Sequence, residues 1–215
     1  MIGVLDYNAG NLTSVQSALH YCKAKFTILS RPEDFLHIDR LIVPGVGEAR
    51  AAMEYLQNNG LDQAIMEFCQ TGKPFLGICL GSQIILDFSQ ERDTSCLGLM
   101  PGTCKSFSLT YGEKGISPRD FKVPHIGWNQ VSWPEGKEDY LFQGIPHGRS
   151  FYFDHGYYNS PLSKDHVLGT SDHGISFPAV IGFENIRAVQ FHPEKSGAYG
   201  LRLLGNFCLK QPGDR

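Results

Sequence analysis

Apolar residues follow two rhythms along this chain. In the first half, short apolar runs at 2–7, 26–29, 41–43 and 74–79 predict strands. Between them apolar positions recur every three or four residues. Val15, Ala18, Leu19 and Cys22 do so behind Asn11, a candidate helix cap, and 49–57, 61–70 and 80–89 repeat the pattern. Strands alternating with helices predict a parallel sheet covered on both faces. The second half reads differently. Segments 102–109, 120–131, 151–155, 166–171, 179–183 and 188–191 predict short strands, separated by turn-rich stretches such as 134–136. A last helix is expected over about 200–209, with Leu201, Leu204, Phe207 and Cys208 on one face. No repeat or low-complexity tract interrupts the pattern, so one mixed α/β domain over 1–215 is the expectation.

Composition narrows the function classes. A chain of 215 residues buries about 70% of the surface its unfolded form exposes, so a core needs no covalent staple. Net charge is −3 with no basic block, which argues against nucleic acid as a partner. No apolar run approaches the roughly 18 residues of a membrane span. The N-terminus has neither a basic leader nor a small-residue cleavage site, so the expected compartment is the cytoplasm. The six cysteines form no C-x-x-C pair, and reduced thiols are expected. His20, His37, His147, His166 and His173 show no metal-ligand spacing.

Three segments carry candidate chemistry. Gly77-Ile-Cys79-Leu-Gly81 falls where a strand should meet a helix. A nucleophile on such a sharp turn projects above the sheet, and glycines two before and two after leave room for the bend. The helix N-terminus favours a thiolate, and the Leu80 N–H is placed to hold an oxyanion. His192-Pro-Glu194 ends the last predicted strand. Pro193 pushes His192 toward extended backbone, and residues two apart in a strand share a side, so Glu194 should reach the imidazole. Cys79, His192 and Glu194 then form a triad by role. Pro44-Gly45-Val46-Gly47 follows the third strand, where parallel sheets bind ligands. Its Val46 N–H is a second candidate oxyanion donor. Each segment also has a plain structural reading: a buried cysteine, a solvated strand end, an ordinary turn.

These segments, with Gln83, Pro124-His-Ile-Gly-Trp-Asn129 and Gln190-Phe-His-Pro-Glu-Lys-Ser196, resemble those of the class I glutamine amidotransferases, in the same order and over essentially the whole chain. The resemblance implies a flavodoxin-like α/β fold and glutamine hydrolysis without cofactor or metal. It places Cys79, His192 and Glu194 as the triad, Gly45, Val46 and Gly47 as the oxyanion strand, and Gln83 and Tyr157 as glutamine-binding residues. Within the family the pattern is similar to subunits that pass ammonia to a β/α-barrel cyclase in a heterodimer. Related subunits serving amidino-sugar synthesis for surface polysaccharide are the alternative. Asn11, Trp128, Tyr152 and Lys195 match motifs that face the partner. Asp154 and Gly156 stand where relatives usually carry Val and Ser, and Ser82 where they carry Met. The triad and the oxyanion strand use up the predicted domain, so the chemistry that consumes ammonia is expected on another chain. A flexible segment 45–47 would let that chain switch the glutaminase on.

Overall fold

The computed structural model of the chain describes residues 1–9, 12–117, 119–134 and 139–210. Its central sheet has seven strands. β2 (Phe26–Leu29), β1 (Ile2–Leu5), β3 (Arg40–Val43), β4 (Phe75–Ile78) and β13 (Ile186–Val189) lie side by side in parallel. β12 (Ser176–Phe183) and β11 (Val167–Asp172) extend the sheet antiparallel beyond β13. Side chains alternate across it and build two cores. Ile42, Leu76 and Ile78 face α1 (Leu12–Tyr21) and α6 (Gly197–Leu209). Leu41, Val43 and Phe75 face α2 (Ala49–Asn58) and α3 (Leu61–Gln70). β1 and β4 are buried along their whole length, as a parallel sheet covered on both faces requires.

The pairing of β4 with β13 positions the site. Gly77 lies opposite Ala188 and Ile78 opposite Val189, and the Cys79 N–H donates to the Val189 carbonyl at 2.8 Å. Segments more than a hundred residues apart therefore end side by side at the same sheet edge, where open α/β sheets bind ligands.

Residues 88–161 form a smaller sheet and a ribbon above that edge. β10 (Tyr157–Pro161), β7 (Gly102–Ser106), β5 (Phe88–Ser89) and β6 (Thr94–Ser95) make the sheet, in that order. β8 (His125–Gln130) and β9 (Ser150–His155) make the ribbon. β8 starts five residues later than the pattern suggests, directly after Pro124, which has no N–H to offer a ladder.

Two expectations, one of a helix and one of a strand, fail for identifiable reasons. The helix after Cys79 is a single turn, α4 (Leu80–Gln83), and does not run to residue 89. The carbonyls that would continue it are taken by a returning segment. Leu97 N–H donates to Ile84, Leu99 and Met100 to Ile85, and Gly98 to Leu86, all at 2.9–3.0 Å. The predicted strand 102–109 instead stops at Ser106 and becomes α5 (Phe107–Lys114). Ser106 caps it by accepting the Leu109 N–H, and Gly115 ends it with φ 67°. A serine cap, buried residues at 107, 110 and 111 and a terminal glycine are helix signals. The β-like run before them masks these signals. β5, β6 and β10 fall outside every predicted strand.

Candidate active site

Cys79 sits on the bend between β4 and α4 at φ 53°, ψ −107°, a conformation that strains a residue with a side chain by about 1–3 kcal/mol. The bend is held from several sides. The Ser82 and Gln83 N–H groups return to the Cys79 carbonyl at 2.9 and 3.2 Å. The Ser82 hydroxyl donates to the same oxygen at 2.7 Å and accepts from Asn159 Nδ2 at 3.0 Å. Ser82 thus bridges the elbow to β10. The flanking glycines are required by space: a Cβ on Gly77 would lie 2.5 Å from the Gly81 carbonyl, and one on Gly81 would collide with the Val43 carbonyl.

His192 follows β13 with φ −98°, ψ 94°, the extended geometry expected before proline. Its Nδ1 lies 2.8 Å from Glu194 Oε1, and both side chains are buried. The reach is made by a tight helical turn, Pro193–Lys195, rather than by strand alternation. Ser196 fixes that turn, donating to the His192 carbonyl at 2.6 Å and accepting the Tyr152 N–H at 2.9 Å. His192 Nε2 is buried, and the Cys79 sulfur is the group beside it. Burial opposes a charge on this ring. The adjacent Cys79 sulfur and the Glu194 carboxylate outweigh it, and the pKa rises to about 10.

A cavity of about 230 Å³ opens beside the sulfur, lined by Val46, Gly47, Cys79, Leu80, Gln83, Glu91, Pro124, Asp154, His155, Gly156 and Tyr157. Gln83 Nε2 donates to the Tyr157 carbonyl at 3.1 Å and to Gln190 Oε1 at 3.3 Å. Both amide protons point inward, leaving Gln83 Oε1 for a ligand.

The two expected oxyanion donors are not free. The Leu80 N–H donates to the Gly45 carbonyl at 3.2 Å, and the Val46 N–H donates to the Ala9 carbonyl at 3.2 Å. The Gly45 carbonyl and Val46 N–H belong to one peptide unit, so one plane occupies both. Tyr7 backs this segment closely: a Cβ on Gly45 would collide with its hydroxyl.

Residues 3–211 match the family model for glutamine amidotransferase class-I. The chain belongs to the class I glutamine amidotransferases. It is 44% identical to the imidazole glycerol phosphate synthase subunit HisH of Nitratidesulfovibrio vulgaris strain DP4 over 207 residues, 96% of this chain and 95% of that one. It is 41% identical to the subunit of the same name from Dehalococcoides mccartyi over the full length of both. A solved glutamine amidotransferase superposes with a TM-score of 0.72 at 17% identity, covering 96% of each chain, and shares the fold.

Within this amidotransferase, the residues expected to face a partner converge. Trp128 and Tyr152 sit opposite each other on β8 and β9 with ring centroids 6.2 Å apart, and Lys195 Nζ lies 5.8 Å from the Tyr152 ring. Trp128 is 58% exposed and Ile126 59%, two large apolar residues set two apart on β8. Asn11 lies outside the described residues. Asp154, opposite Ile126, joins the exposed face to the cavity, and its carbonyl lies 3.7 Å from the Cys79 sulfur.

Glu91 and Gln190 stand at the site without a role from any of the motifs. Glu91 lines the cavity, accepts the Ala49 N–H at 2.7 Å, and has its pKa raised by burial. Gln190 is fully buried and points its Nε2 at the Cys79 sulfur, 4.0 Å away. Glu91 follows the elbow by only 12 residues, but the helix expected over 80–89 hid the turn that brings it back. Gln190 had a usable signal, since it stands two residues before His192 in the same motif.

Proposed function

We infer that the chain is the glutaminase subunit of an imidazole glycerol phosphate synthase in histidine biosynthesis, and propose that Cys79 is its nucleophile, His192 its acid–base and Glu194 the residue that orients the ring. The observation that carries the catalytic assignment is a buried imidazole tied to a carboxylate on one nitrogen and set beside an elbow cysteine. The Cys79 thiolate attacks the side-chain amide carbon of glutamine, forming a C–S bond and a tetrahedral oxyanion. His192 gives its proton to the amine, the C–N bond breaks, and ammonia leaves a glutamyl thioester. The neutral ring then takes a proton from water, whose oxygen displaces the sulfur to give glutamate.

Gln83 Oε1 and the lining of the cavity hold the substrate. Glu91 puts a carboxylate there, and no lysine or arginine is among the lining residues. Glutamine's α-ammonium belongs next to Glu91, where it offsets the burial that raises the carboxyl pKa. Residues 1–215 work as one glutaminase domain in the cytoplasm, and the apolar face of Ile126, Trp128, Tyr152 and Lys195 docks a β/α-barrel cyclase that receives the ammonia. No helix among the described residues is long and apolar enough to cross a membrane.

Assembly decides the acceptor. Mixed with the barrel cyclase and its nucleotide substrate, the chain should form product from glutamine. Product only with an amidino-sugar synthetase would overturn the assignment to this pathway.

The pH profile checks the orienting role. The Glu194 carboxylate helps hold the His192 pKa well above 6.5. Glu194→Gln removes that support, so the ring loses its proton at lower pH. Expulsion of ammonia needs the protonated ring, so the alkaline limb of kcat/KM should move down by about 1–3 pH units. An unmoved limb would count against Glu194 as the orienting group.

A further inference from the structure

The sulfur of Cys79 is the end of a hydrogen-bond path that begins on the exposed ribbon. Asn129 Nδ2 lies 3.3 Å from His125 Nε2, His125 Nδ1 lies 3.0 Å from His155 Nε2, and His155 Nδ1 lies 2.7 Å from the Tyr157 carbonyl. The same carbonyl accepts from Gln83, Gln83 donates to Gln190, and Gln190 points at the sulfur.

The path has one consistent proton assignment. A carbonyl only accepts, so His155 must carry its proton on Nδ1. Its Nε2 is then an acceptor and takes the Nδ1–H of His125. His125 Nε2 is in turn an acceptor and takes an Asn129 amide proton. A second proton on His155 would set two donors against each other. Both rings must therefore be neutral, with the proton on Nδ1. Their surroundings agree. His155 packs edge-on to Phe107 with centroids 5.4 Å apart, and His125 stacks on Phe153 at 4.9 Å and on His173 at 4.2 Å. Burial pushes the pKa values of His155 and His125 down to about 3 and about 4.

We propose that His155 is a positioning residue for glutamine cleavage: with His125 behind it, it locks the Tyr157 carbonyl, and through that carbonyl Gln83 and Gln190, against the Cys79 sulfur. The proposal rests on Cys79 being the nucleophile. It adds that the ribbon bearing Trp128 is linked to the sulfur by one continuous set of hydrogen bonds.

The test uses the full chain assembled with its cyclase. His155→Phe removes the donor to Tyr157 and should lower kcat/KM for glutamine by about ten- to hundredfold, while ammonia-driven product formation is unchanged. His155→Asn offers an amide N–H in place of Nδ1–H and should recover most of the loss. In the unaltered protein, ¹⁵N imidazole shifts should report neutral Nδ1–H tautomers at His125 and His155 from pH 5 to 8. Normal glutamine use by His155→Phe, no recovery with His155→Asn, or an Nε2–H tautomer at either ring would overturn the proposal. The spectroscopic result decides alone if a variant does not fold. A Cys79→Ala complex serves as the reference: glutamine use there within tenfold of the unaltered complex would remove the nucleophile assignment, whereas an inactive Cys79→Ala beside a normal His155→Phe would remove only the wiring.

Discussion

Cys79→Ala should abolish glutamine-dependent turnover of the assembled enzyme and leave its ammonia-dependent turnover intact. The covalent route is lost entirely, since no other thiol lines the cavity. Removing a nucleophile that works as a unit with its base lowers kcat by on the order of 10⁴–10⁶, about 5–8 kcal/mol of transition-state stabilisation. Alanine keeps the strained φ of 53° and leaves a void of one sulfur atom, so the fold should survive. Glutamate release and product formation, each measured with glutamine and then with an ammonium salt, separate the two half-reactions. Glutamine use within tenfold of the unaltered enzyme would sink the triad.

The second large effect concerns the partner. The isolated chain should hydrolyse glutamine slowly, and the cyclase carrying its nucleotide should raise kcat by at least about 10²–10³, the worth of a single oxyanion donor. The reason lies in the single peptide between Gly45 and Val46. It holds its carbonyl on the Leu80 N–H and its own N–H on the Ala9 carbonyl, both at 3.2 Å. Turning that plane breaks two long hydrogen bonds, each contributing about 0.5–1.5 kcal/mol net. In exchange it withdraws a carbonyl from the sulfur's side and brings the Val46 N–H beside a freed Leu80 N–H. Two convergent donors then face the developing oxyanion. The gain, about 2.7–4 kcal/mol per donor, exceeds the loss only in the transition state, so kcat should rise with little change in KM. Val46 and Gly47 are exposed at the mouth of the cavity, within reach of a docked chain. Equal kcat with and without the liganded cyclase would refute the switch.

Much of this site was legible before any coordinates. The elbow could be read because few residue patterns other than Gly-x-Cys-x-Gly relieve so tight a bend, and the Gly77 and Gly81 contacts are the physical form of that pattern. The helix Leu61–Gln70 was legible to the residue because its apolar spacing is uninterrupted. The pairing of His192 with Glu194 was foreseen, but by a strand argument, whereas a proline-led turn makes the contact. What stayed hidden depends on long-range pairing. Local periodicity could not show that residues 97–100 would capture the carbonyls of 84–86, nor that this return would bring Glu91 into the cavity. Nor could it show that the Leu80 and Val46 amides would be engaged, because a motif names the donors without saying which way a peptide plane faces.

That one peptide plane also binds two equilibria together. Whatever factor the cyclase adds to the grip on the tetrahedral adduct, an inert mimic of the adduct must return to the grip between the subunits, because coupling free energy is reciprocal. A compound built to fill the turned state would therefore act as a molecular glue, and would discriminate the joined enzyme from the lone chain by the same two to three orders of magnitude.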